Sequence, residues 1–260
     1  MNKLILTAAI ASLLSSNVFA AGLTPLEATG WNQDIVVGVG EFPGTGTTKT
    51  MDGNGASQNL GDTWYGVGRN PDALSTGLPT GPTASESTPA DLTFTLQSFT
   101  ANNAIYNGGT LTLATPAPLA RFALIGSTSR GPGNMTITVN FADSSTQVFE
   151  NFSTGTGATA GINGDWFNLG PTAYTANGRI TDSGGFNNVN AGNPRLYQSI
   201  FTLTNTTSNV NSITITDGGA GQNAIMAISG EVVPEPGTLG LLGVFGLGAL
   251  GLAARRRLRA

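Results

Sequence analysis

The side chains that usually carry acid–base and nucleophilic chemistry are selectively missing from this chain: its 260 residues include no His and no Cys. That removes Ser-His-Asp and Cys-His arrangements, His-containing zinc sites and the side chain that most readily moves a proton near neutral pH. Carboxylate chemistry remains. Glu41, Asp62, Glu86, Asp91, Glu150 and Asp165 are the acids from which a hydrolytic pair of the glycosidase kind would be drawn. Sequence spacing does not show any two of them within catalytic distance, and acids in a Gly-rich β chain mostly serve turns. The expectation is therefore a protein that is not an enzyme, with no catalytic residue, cofactor or metal site. A carboxylate-dependent glycan hydrolase or lyase is the alternative.

One stretch could hold a ligand. In "NGDWFN", Asn163 to Asn168, Asp165 sets a hydrogen-bonding carboxylate beside the wide ring of Trp166. An aromatic face against a sugar's C–H face, with polar groups at its edge, is how a carbohydrate site on a β-sandwich can be built. The competing reading puts Trp166 in the core, and with only three Trp in the chain the core has the stronger claim. Trp64-Tyr65, and Arg195 with Tyr197, are the remaining aromatic candidates. "VVGVGEFPGTGTTKT" has Thr48 where a phosphate-binding loop needs Gly before Lys49, and "MDGNGASQN" breaks a calcium-loop series at Ala56. Both read as loops or tight turns.

The elements that must position these residues are strands. In "MTITVNFAD" Met135, Ile137, Val139 and Phe141 alternate with Thr136, Thr138 and Asn140, the period of a half-buried strand. Asp143-Ser144-Ser145 then supplies turn chemistry, and "TQVFENF" returns as the second arm of a hairpin. "DLTFTLQSF", "GTLTLA", "LARFALIG", "SIFTLTN", "VNSITIT" and "AIMAISGEVV" read as six more strands, and "DIVVGVGE" as an early strand of the same body. Short strands without helical periods between them predict an all-β fold, a single β-sandwich of jelly-roll type. Asn70 to Asp91 reads as a long connection.

Both ends read as targeting segments. Lys3, an apolar run from Leu4 to Leu14 and the small residues up to Ala20 predict a secretory signal peptide over 1–20, cut between Ala20 and Ala21 by signal peptidase. The body, 21–232, carries fourteen acids against six bases, leaving eight net negative charges. This disfavours nucleic acid and anionic membrane as partners. After it come Pro234-Glu235-Pro236, an uncharged apolar segment over 238–254 and a basic tail, 255–260, with Arg255, Arg256, Arg257 and Arg259. The segment is just long enough for a membrane-spanning helix, and the arginines hold its end in the cytoplasm.

This order, Pro-Glu-Pro then apolar segment then arginines over 233–260, resembles the PEP-CTERM sorting signal. The resemblance implies an exosortase as processing partner, a precursor that enters the inner membrane transiently through its C-terminal helix, and delivery to the surface or matrix of a Gram-negative-type bacterium that makes exopolysaccharide. The stretch from Ala104 to Gly230 is also similar to galactose-binding-like jelly-roll modules. That second resemblance implies a sugar, such as the exopolysaccharide, as a ligand for the loops at one end of the sandwich.

Overall fold

The computed structural model describes residues 22–234 except 54–60, 71–76, 89–90, 132–133, 151–160, 168–169, 188–191 and 220. Gly22–Val232 forms one compact unit. The signal peptide, the Ala20–Ala21 junction, Glu235, Pro236, the segment 238–254 and the arginine cluster lie outside the described residues.

In chain order the strands are β1 (Thr24–Pro25), β2 (Ala28–Thr29), β3 (Val36–Val37), β4 (Trp64–Tyr65), β5 (Thr83–Ala84) and β6 (Thr93–Phe94), all two residues long. Then follow β7 (Ile105–Tyr106), β8 (Gly109–Ala117), β9 (Leu119–Ser129), β10 (Met135–Phe141), β11 (Thr146–Phe149) and β12 (Thr172–Thr175). The last are β13 (Arg179–Ile180), β14 (Phe186–Asn187), β15 (Arg195–Thr202), β16 (Val210–Asp217) and β17 (Gln222–Val232). Among the described residues there is no helix.

Two antiparallel sheets form the body. One runs β1-β17-β9-β15-β12 with β7 also on β17, the other β11-β10-β16-β8-β2. The pairings from β7 onward are nested: β7 with β17, β8 with β16, β9 with β15 and β10 with β11. The hairpin read from sequence is the innermost pair. At its turn Ser144 takes φ 67°, and the Asp143 carboxylate accepts the Ser145 N–H at 2.9 Å, the local capping that lets a short polar residue hold a left-handed turn.

The alternation along β10 decides which face is dry. Met135, Ile137, Val139 and Phe141 point at Phe122, Leu124, Phe201, Ile225 and Ile228 of the facing sheet, with Leu111, Ile213 and Ile215 beside them. Each such side chain contributes about 1.5–3 kcal/mol by leaving water.

β9 and β17 behave differently, being buried along almost their whole lengths. Their second face carries Ala123, Ile125, Ala224, Met226 and Ala227, which pack under Ile35, Val36, Met51, Trp64, Leu78, Phe94 and Trp166. A bulge between Ile225 and Ala227 turns Met226 and Ala227 to this same side, since one extra residue breaks the two-residue period. Gly126 lies opposite the bulge. A Cβ there would sit 2.2 Å from the Ala224 carbonyl oxygen, so only glycine admits the close approach.

The six-stranded sheet is thus covered on both faces, and the covering layer corrects one expectation. "DIVVGVGE" is no strand of either main sheet: β3 pairs in parallel with β4. It is tied down by packing of Ile35 and Val36 and by Asn103, whose side chain accepts the Ile35 N–H at 3.0 Å. "DLTFTLQSF" likewise yields only the two residues of β6, although Leu92, Phe94 and Leu96 are all buried.

Candidate functional site

The Asp165 loop is sewn to the end of β9. Thr128 donates its N–H to Gly164 O at 2.9 Å, and Trp166 donates its N–H to Thr128 O at 2.7 Å. Both carboxylate oxygens of Asp165 accept backbone amides, from Gly131 at 3.0 Å and Phe167 at 3.1 Å. Its carbonyl takes the Tyr197 hydroxyl at 2.9 Å. This acid organises a loop.

Trp166 is 1% exposed, edge-on to Trp64 at 5.3 Å and to Phe167 at 5.5 Å. Its ring is packed within the core, the reading that competed with a sugar platform at Asp165 and Trp166, and offers no open face to a sugar. The cause lies in the sheet beneath: alanines on the outer face of β9 and β17 leave a depression that only large rings fill. Trp64, Tyr65 and Tyr197 are buried too, and Arg195 donates its N–H to Trp166 O at 2.8 Å. Asn168 lies outside the described residues.

Beside these rings lies an ion cluster that sequence reading missed. Arg179 places Nε 2.5 Å from Asp62 Oδ2 and Nη1 3.2 Å from Asp52 Oδ2. Its guanidinium lies 4.8 Å over the Phe167 ring and 5.8 Å from that of Trp166. No local spacing signals this cluster, because Asp52 and Arg179 are 127 positions apart.

One guanidinium cannot fully balance two half-buried carboxylates. Burial, helped by the charges of Asp62 and Asp165, pushes Asp52 up to about 6 against the pull of Arg179, and burial raises Asp62 as well. Asp34 is also pushed up to about 6 by burial, reinforced by Glu41 and opposed by hydrogen bonds from Asn103 and Val36.

These shifts fix a sign. The folded chain binds protons at Asp34 and Asp52 near pH 6, whereas the unfolded chain binds them only near the ordinary 3.8. Stability is therefore gained as pH falls through about 6 and lost as pH rises through it. The thermal midpoint should rise by several degrees from about pH 7.5 to about pH 5. A midpoint falling steadily over that window would contradict the assignment.

The remaining acids named above have structural partners or lie on the surface. Glu41 accepts the Gly38 N–H at 2.8 Å. Glu86 accepts the Thr175 N–H at 3.0 Å and its hydroxyl at 2.8 Å. Asp91 pairs with Arg121, and Glu150 is exposed just after β11. Two clefts, of about 520 and 570 Å³, flank the segment 95–100. Among the described residues Glu27 is the one carboxylate lining them, and no group of three or more acids is placed to hold a metal ion.

The other candidate site is where the body ends. β17, central in its sheet, runs to Val232, where Leu119 is its partner on β9. Glu231 is held by Arg121 Nε at 2.6 Å, while Val232 is 40% exposed and Pro234 is exposed. The chain thus leaves the core abruptly, and residues 232–257 match the PEP-CTERM protein-sorting motif.

The chain carries a PEP-CTERM sorting motif. The motif begins at the last residue of β17 and takes in Pro234, Glu235, Pro236, the apolar segment and Arg255–Arg257. A PEP-CTERM motif implies export, processing by an exosortase and sorting to the surface of a bacterial cell. No helix among the described residues is long and apolar enough to cross a membrane, and the segment expected to do so lies outside them. No curated protein and no solved structure matches the chain.

Proposed function

We propose that this is a non-catalytic component of a polysaccharide-rich bacterial surface. Signal peptidase releases it at Ala21, the apolar segment 238–254 holds it briefly in the inner membrane, and an exosortase delivers it to the surface or matrix of a Gram-negative-type cell. The observation that carries the reading is the sorting motif over 232–257.

The body is read as a jelly roll of the galactose-binding-like kind. The nested pairings of β7 to β11 and β15 to β17 support this: eight strands rolled as one long hairpin, first on last, distribute over two sheets in the manner of a double-sheet roll. A non-catalytic role is supported by the engagement of Glu41, Asp62, Glu86, Asp91 and Asp165 in structural bonds.

The test is retention of the full chain on the producing organism's own exopolysaccharide, scored together with release of sugar fragments. Retention without release is the expected result. Fragments released by the parent chain and abolished by one Asp→Asn or Glu→Gln change would replace this reading with a glycan hydrolase or lyase.

A further inference from the structure

The pole from which the sorting motif leaves is tied together by groups far apart in sequence. β1 lies antiparallel to the end of β17, with Thr24 opposite Gly230 and Pro25 opposite Ser229. The Leu26 N–H reaches Ile228 O at 3.0 Å, and the Thr24 hydroxyl reaches Gly230 O at 3.4 Å. Leu26 and Leu119 pack directly on Gly230: a Cβ there would sit 2.7 Å from Leu26 Cδ1 and 3.2 Å from Leu119 Cδ2.

The backbone of Gly22 packs equally closely on Asp91, whose carbonyl oxygen lies 2.6 Å from where a Cβ would be. The Asp91 carboxylate takes Arg121 Nη2 at 2.6 Å, and Nε of the same guanidinium goes to Glu231 at 2.6 Å. The residues just before the motif are therefore held by β1 on one side, β9 on the other and Arg121 across the top.

Chain length does the rest. Two extended residues carry the backbone at most about 7 Å from Val232 to Pro234, and two more at most about 14 Å to Pro236. An enzyme cleft that grips several residues around Pro234-Glu235-Pro236 must then touch the body from which they emerge. Peeling back β17 to gain length would break the β1 ladder and the Arg121–Glu231 bridge and would bring Ile228, now 1% exposed, into water.

Resting on the reading that the tail is processed, we infer that the pole formed by Gly22, Asp91, Arg121 and Glu231 is a contact surface for the exosortase. The enzyme thereby reads the folded body as well as the tail. Because these four residues come from the start, middle and end of the unit, the surface exists only once the sandwich has closed.

The experiment is a pulse-chase of the full chain in its producing cell, following conversion of precursor to the processed form. Inserting Gly-Ser-Gly-Ser between Glu231 and Val232 leaves residues 232–257 intact and moves them up to about 14 Å from the pole. Lost positioning should slow conversion at least about fivefold, and Arg121→Gln should slow it about twofold or more at a nearly parental thermal midpoint. An insertion variant converted at the parent's rate would overturn the inference, even with Pro234-Glu235-Pro236→Ala stalled as expected. If the alanine variant instead converts like the parent, or the parent does not convert, the sorting reading falls and the contact surface with it.

Discussion

Replacing Trp166 by alanine should cost about 3–5 kcal/mol of folding stability, the range for emptying a buried aromatic site, and lower the thermal midpoint by roughly 10 °C. The loss has several parts. Trp64 loses its edge-to-face partner at 5.3 Å, Phe167 loses its contact at 5.5 Å, and the alanines of β9 and β17 are left facing a void. Trp166→Phe should recover part of the loss by refilling most of the volume. Calorimetry or circular dichroism of the three chains decides the matter. A Trp166→Ala chain melting with the parent but no longer retained on polysaccharide would return the ring to the surface as a binding platform.

An effect at least as large is expected at β10. Val139 is fully buried between the sheets, with Gln147 opposite on β11 and Ile213 on β16. Val139→Asp would put an unpaired carboxylate there, costing about 4 kcal/mol or more and leaving the domain largely unfolded. Thr138 faces the other way, beside Thr214 and Val148, so Thr138→Asp should be tolerated within about 1 kcal/mol. Equal losses at both positions would contradict the one-sided burial of this strand.

β10 also shows why some of the fold was legible from sequence. A strand with one wet and one dry face writes its period into the chain, so the β10–β11 hairpin could be read directly, as could β8 and β16. β9 and β17 announce themselves as apolar runs, but a run does not say what covers its second face. The covering layer was the illegible part. Its strands are two residues long, too short for any period, and its order comes from long-range packing such as Trp64 on Trp166 and Asn103 on Ile35. "DIVVGVGE" shows the consequence: β-branched residues mark a strand but not the sheet it joins.

The candidate sites divide in the same way. The sorting motif is linear, so its residue types and order suffice to read it. Trp166 is not settled by its neighbours in sequence, because a wide ring beside an acid suits a sugar platform as well as a core; the scarcity of Trp favours the core, but the alanines it must cover lie on other strands. The Arg179 cluster is wholly tertiary, gathering Asp52 and Asp62 through a fold whose register no local pattern encodes.

On the proposed function, the body is exported and its tail processed at the sorting motif over 232–257. Intact-mass measurement with terminal sequencing of protein recovered from the cell surface tests it most directly. The recovered chain should begin at Ala21 and lack Arg255, Arg256, Arg257 and Arg259. A chain that begins at Met1, or one that keeps Arg259 while residing stably in the inner membrane, would contradict it.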